Sequence, residues 1–160
     1  GVNRATLKSG KTDERINFLN KLTKKLENIN FDFYGFKDKE PIWGNEFYQA
    51  LNNSKMGLNL SRGLPTKYYT SNRIASLMGN GLLTFVDKKT QLDDMFSKNE
   101  VIMYLNINDL TEKINFYKKN NHLRKKIASS GRKKYFKLFN ELKIAKYILD
   151  KSLGKSTSLY

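Results

Sequence analysis

The stretch Thr70–Asp87, TSNRIASLMGNGLLTFVD, decides the fold. Gly79-Asn80-Gly81 is a strong turn signal. Leu82-Leu83-Thr84-Phe85-Val86 then runs apolar without a break. Such a run is the pattern of a strand buried on both faces of a parallel sheet. Before the turn, Thr70 or Ser71 can cap a helix reaching Met78. Working outward, Lys55–Ser61 and Val101–Leu105 read as further strands, and Ile29–Phe36 as a first one ending at Tyr34-Gly35. Helices are expected from Asp13 or Thr12 to Glu27, Glu46–Asn53, Gln91–Phe96, Asp109–Lys119, Leu123–Leu138 and Glu141–Leu153. Short apolar strands alternating with helices predict an α/β domain: a Rossmann-like open parallel sheet flanked by helices. One domain is expected over residues 1–153, with a frayed tail at 154–160.

Composition narrows the chemistry. The 160 residues hold no cysteine, which excludes disulfides, zinc ribbons and thiol catalysis. The one histidine, His122, sits among Asn121, Arg124 and Lys125 and reads as a solvated helix residue. No run of apolar residues is long enough to span a membrane, and no leader peptide is visible. The chain opens Gly-Val-Asn without Met, so a piece of a longer protein is expected. The net charge is +15, and residues 112–155 carry fourteen Lys/Arg against Glu112, Glu141 and Asp150, a net +11. This helical, basic C-terminal region implies an acidic partner, the plain alternative being a solvated lysine-rich helix face.

A parallel sheet binds ligands at the carboxyl ends of its strands. There the sequence places Tyr34, then Ser61-Arg62-Gly63, then Lys67-Tyr68-Tyr69-Thr70-Ser71-Asn72-Arg73. Cations and hydroxyls gathered at a helix start suit a phosphate; the alternative is a helix cap beside surface cations. No Walker loop occurs, and Gly79-Asn80-Gly81 enters a strand instead of a helix, so no dinucleotide fingerprint exists either. There is no Asp-x-Asp, and Asp93-Asp94 is the only close Asp pair.

These segments resemble the glycosyltransferase group-1 domain of the CgeB-like (spore maturation protein) family. The resemblance rests on Leu58-Asn59-Leu60-Ser61-Arg62-Gly63, Tyr69-Thr70-Ser71-Asn72-Arg73-Ile74 and Gly79 to Asp87. Asn99-Glu100-Val101, Tyr104, Asn108-Asp109-Leu110, Leu123 to Ala128 and Gly131 follow in the same order. The resemblance implies the C-terminal, donor-binding half of a GT-B glycosyltransferase, whose N-terminal acceptor half is missing here, so that this piece alone is inactive. It implies a nucleotide-sugar donor as substrate, no cofactor and no metal. It implies that Tyr34 or the following loop flanks the base, that Ser61, Lys67, Tyr69, Ser71 and Arg73 surround the diphosphate, and that Arg4 and Lys8, in a segment similar to the loop after the first strand of such donor domains, approach it.

One departure stands out. Many relatives carry a ribose-binding Glu three residues after the Arg, where this chain has Ser76; the Glu some place eight residues earlier falls at Tyr68. A serine can hold only one ribose hydroxyl where a carboxylate holds two. The expected setting is cytoplasmic, with the basic helices toward the inner membrane face or an acidic glycan carrier. Nucleic acid is the disfavoured partner, because Tyr117, Tyr135, Phe136 and Phe139 fall at the helical spacing of ordinary core residues. The rival readings are a basic α/β module holding nucleic acid, which oligonucleotide titration at varied salt separates, and a degenerate transferase scaffold, which a nucleotide panel separates.

Overall fold

The computed structural model of the chain describes residues 13–36, 39–61, 63–70 and 72–158. The elements run α1 (Glu14–Lys25), α2 (Gly44–Asn53), β1 (Met56–Asn59), α3 (Arg73–Gly79), β2 (Leu83–Asp87), β3 (Ile102–Tyr104), α4 (Ile107–Lys119), α5 (Asn121–Leu138) and α6 (Glu141–Ser152). Two 3-10 turns, Lys88–Thr90 and Leu92–Asp94, lie between β2 and β3. The strands form one sheet in the order β1-β2-β3. Both pairings are parallel, with Leu58 opposite Phe85 and Phe85 opposite Ile102. The chain is therefore a mixed α/β protein with a Rossmann-like open parallel sheet.

The central strand is buried on both sides, as its apolar run predicts. Leu83 and Phe85 join one core with Leu22, Tyr104, Leu110 and Ile127. Val86 joins the other, with Ile74, Met78 and Phe96. This alternation is the two-residue period of a strand. The one hydroxyl inside the strand, on buried Thr84, is satisfied by donating to the Leu82 carbonyl at 3.1 Å.

Helix α5 closes the amino edge of the sheet. The Arg124 guanidinium donates to the Lys55 carbonyl just before β1, at 3.0 Å. Arg132 Nε donates to the Gly79 carbonyl at the end of α3, at 2.9 Å. Between them Gly131 lies so close to the Glu100 carbonyl, ahead of β3, that an added Cβ would collide with it. Among the described residues, no helix is tied to the opposite, carboxyl edge in this way.

Three expectations need correction. Residues 29–36 do not form a sheet strand. The Phe31 and Phe33 rings stack at 5.5 Å, and Phe33 and Phe36 pack against Leu19, Leu58 and Leu60, so side chains hold this segment in place of a backbone ladder. Among the described residues it makes a bridge from Phe36 to Lys39. The expected Thr70 or Ser71 cap of α3 is replaced by Asn72, whose backbone is already helical and whose side chain makes no capping bond; Ser71 lies outside the described residues. Of the expected helix Gln91–Phe96 only the 3-10 turn Leu92–Asp94 forms, and Gln91, at a φ of 52°, separates it from the turn Lys88–Thr90.

Gly131→Ala should destabilise the fold by about 1–3 kcal/mol, because a backbone carbonyl must yield. Gly57→Ala should lose less, since the group it meets is the end of the Leu77 side chain. Urea titration of both variants checks the order. Burial, with Asp87 nearby, pushes the Tyr104 phenol well above its usual value. Its contribution to stability is whole below the unfolded phenol's pKa of about 10 and is lost as pH rises beyond it toward the folded value. Urea midpoints at about pH 9 and about pH 11 should therefore fall more for the parent than for Tyr104→Phe.

Candidate functional site

The carboxyl edge is built around the end of β1. Asn59 and Ser61 are buried there. The Ser61 hydroxyl has no hydrogen-bond partner among the described residues. Arg73, first residue of α3, reaches back across the loop and donates from Nη1 to the Leu60 carbonyl at 2.8 Å. Its guanidinium is thus anchored beside Ser61. Burial lowers its affinity for the proton, and the neighbouring positive charge of Arg15 lowers it further. The nearby Tyr69 phenol acts in the opposite sense.

Arg15 is a site neighbour that motif reading passed over. It lies in the first turn of α1, where buried Asp13 accepts from its backbone N–H at 3.0 Å and pairs with its guanidinium at 2.6 Å. The same carboxylate therefore caps the helix and orients the arginine. The available signal was composition: Arg15 is the only arginine in a helix whose other cations are lysines.

The structure thus brings Ser61, Tyr69 and Arg73 to one place. Lys67 is turned aside. Its ammonium lies 3.9 Å from Asp94 and 4.8 Å from the centre of the Tyr68 ring. Tyr68 donates its hydroxyl to the same carboxylate at 2.7 Å and its backbone N–H to the Thr90 carbonyl at 2.8 Å. Both contacts hold Tyr68 at a φ of 60°, the left-handed region that an aromatic residue rarely adopts. The Asp94 bond also raises the Tyr68 pKa. Tyr34 lies half-buried in the bend before Gly35, on the segment that packs against Leu58 and Leu60. Arg4, Lys8 and Ser71 lie outside the described residues.

No group of acidic residues and His122 that could hold a metal occurs among the described residues. Two cavities among the described residues lie away from this edge: a groove of about 570 Å³ between α3, α5 and α6, and a recess of about 270 Å³ beneath Tyr68 and Thr70. Neither is lined by Ser61 or Arg73. Of the aromatics weighed as a nucleic-acid face, Tyr117 packs on one core and Tyr135 and Phe139 on the other, whereas Phe136 is exposed beside Arg132 instead of lying in a core.

Comparison with known proteins places the chain in a family. A family model described as glycosyl transferase-like matches residues 14–150. The chain belongs to that family, and its function is of the glycosyltransferase type. No curated protein and no solved structure matched it.

Arg73→Ala should lower stability by about 1–3 kcal/mol, because it frees the Leu60 carbonyl at a half-buried position. Arg73→Lys should recover part of that loss. Chemical denaturation in the absence of any nucleotide measures this structural share by itself.

Proposed function

We propose that the chain is the donor-binding half of a GT-B glycosyltransferase, holding a nucleoside diphospho-sugar at the carboxyl edge of β1. The observation that carries this reading is the half-buried Arg73 guanidinium, desolvated and close to a second arginine, with a buried serine hydroxyl beside it. Partial burial penalises a cation, and a like charge adds to the penalty. A bound diphosphate would offset the share of that cost that the Asp13 carboxylate beside Arg15 does not. It would accept from Arg73 and Ser61, with Tyr69 at its flank. Helix α3 has only seven residues and no capping bond, so side chains and not a helix terminus would supply the positive field.

Chemically, such a site holds the leaving diphosphate and offsets the charge that develops on it as the sugar departs. Here guanidinium groups would do this without a divalent cation. An acceptor domain would face this edge, exclude water and position the acceptor hydroxyl. The ribose would meet Ser76 where relatives offer a carboxylate, so donor recognition would lean on the diphosphate and on Tyr34 at the base.

Calorimetric titration of the folded chain with a panel of nucleoside diphosphates, with chelator present, tests the proposal. At least one should bind. Arg73→Ala should weaken that binding about ten- to a hundredfold, the worth of one charge-assisted bond to phosphate. Arg73→Lys should restore only part, since an ammonium cannot make the two-pronged contact. Failure of every nucleotide to bind, or unchanged affinity in folded Arg73→Ala, would remove the donor site from this edge.

A further inference from the structure

Helix α6 presents apolar side chains to the outside. Leu142 is 77% exposed, Leu149 61%, Leu153 69% and Ile148 56%. At 3.6 residues per turn, Leu142, Ala145, Leu149 and Leu153 fall on one stripe, with Ile148 at its margin. The only buried residue of the helix is Asp150, about a quarter of a turn round from the stripe. Lys146 and Lys155 pair with it at 2.7 Å and 3.7 Å. Lys143 and Lys151 complete the cationic flank. The stripe borders the groove between α3, α5 and α6, where Phe136, Ile144 and Ile148 form an apolar floor. At the rim the Arg132 guanidinium stands 5.7 Å from the centre of the Phe136 ring. Behind it α5 carries seven Lys/Arg and no acidic residue.

An aqueous surface does not favour four large aliphatic side chains this exposed on one short helix. Their cationic surroundings select among the partners that could cover them. A nucleic acid would satisfy the lysines but gain nothing from the leucines. A second copy would set two surfaces of a +15 chain against each other. An anionic lipid surface answers both features, taking the apolar stripe among its acyl chains and the lysines at its headgroups. We infer that α6 is an interfacial helix that docks this domain on an anionic bilayer surface, without crossing it; no helix among the described residues is long and apolar enough to cross a membrane. The inference is independent of the donor site, since neither Ser61 nor Arg73 takes part.

The test is co-sedimentation with vesicles of phosphatidylglycerol in phosphatidylcholine, against vesicles of phosphatidylcholine alone. The chain should bind the anionic vesicles strongly and the neutral ones weakly, and added salt should weaken binding, because charges are screened beyond about 10 Å at 0.1 M salt. Leu142→Asp with Leu149→Asp should reduce vesicle affinity about ten- to a hundredfold, through lost apolar burial. Three results would overturn the inference: no binding to anionic vesicles, binding that the leucine variant leaves unchanged, or self-association in light scattering that the same variant abolishes. Because the chain has no cysteine, Leu149→Cys can carry a single polarity-sensitive fluorophore. Its emission should shift to the blue on anionic vesicles only, and no shift would sink the inference even if the double variant failed to fold.

Discussion

Everything in this fold answers to the burial of β2. A sheet of three strands has one interior strand, and Leu83–Asp87 must be covered on both faces at once. Leu83 and Phe85 call for α1, α4 and the first half of α5, while Val86 calls for α3 and the 3-10 turns. Close approach is met by removing side chains where backbones meet. Gly57 lets Leu77 lie against β1, and Gly131 lets α5 lie against the chain entering β3. Apolar burial at about 25 cal/mol per Å² supplies the drive, and the glycines decide how near the layers can come.

Sealing one edge of the sheet leaves the other available. Arg124 and Arg132 spend their guanidinium groups on carbonyls that precede β1 and end α3. They belong to the basic region by charge but to the framework by role. Arg73 uses the same chemistry at the opposite edge, where the Leu60 carbonyl takes one nitrogen. The difference is position: Arg73 stands where parallel strands end, beside Ser61 and near Arg15. A half-buried guanidinium at a strand terminus acts on a nearby charge more strongly than a solvated lysine on a helix does, while the Arg15 charge beside it is offset by Asp13. Membership of the glycosyl transferase-like family fits that electrostatics.

The loop from Gly63 to Thr70 shows how local strain is held by tertiary contacts. Tyr68 keeps its left-handed backbone because its N–H meets Thr90 and its hydroxyl meets Asp94. Asp94 is also the partner of Lys67, so a cation that proximity in sequence assigns to the strand edge is drawn toward the 3-10 turn. Lys67 therefore does not share the surroundings of Arg73, although Tyr69 does.

The sequence by itself determined the three parallel strands, the α3 and α4–α6 helices to within a few residues, and the apolar centre at Leu83–Val86. These rest on periodicity and turn residues, which act within a few positions along the chain. It also pointed to Ser61, Tyr69 and Arg73 as neighbours, since all follow β1 closely. Tertiary structure alone decided what depends on distant partners. Ile29–Phe36 has strand composition, yet its rings find Leu58 and Leu60 while its backbone finds no ladder. Arg124 and Arg132 look like solvated helix charges until Lys55 and Gly79 come within reach. Arg15 enters the site from far up the chain, oriented by a carboxylate that also caps its helix. A buried backbone carbonyl or carboxylate must find a donor somewhere, and which donor it finds is settled by packing, not by spacing along the chain.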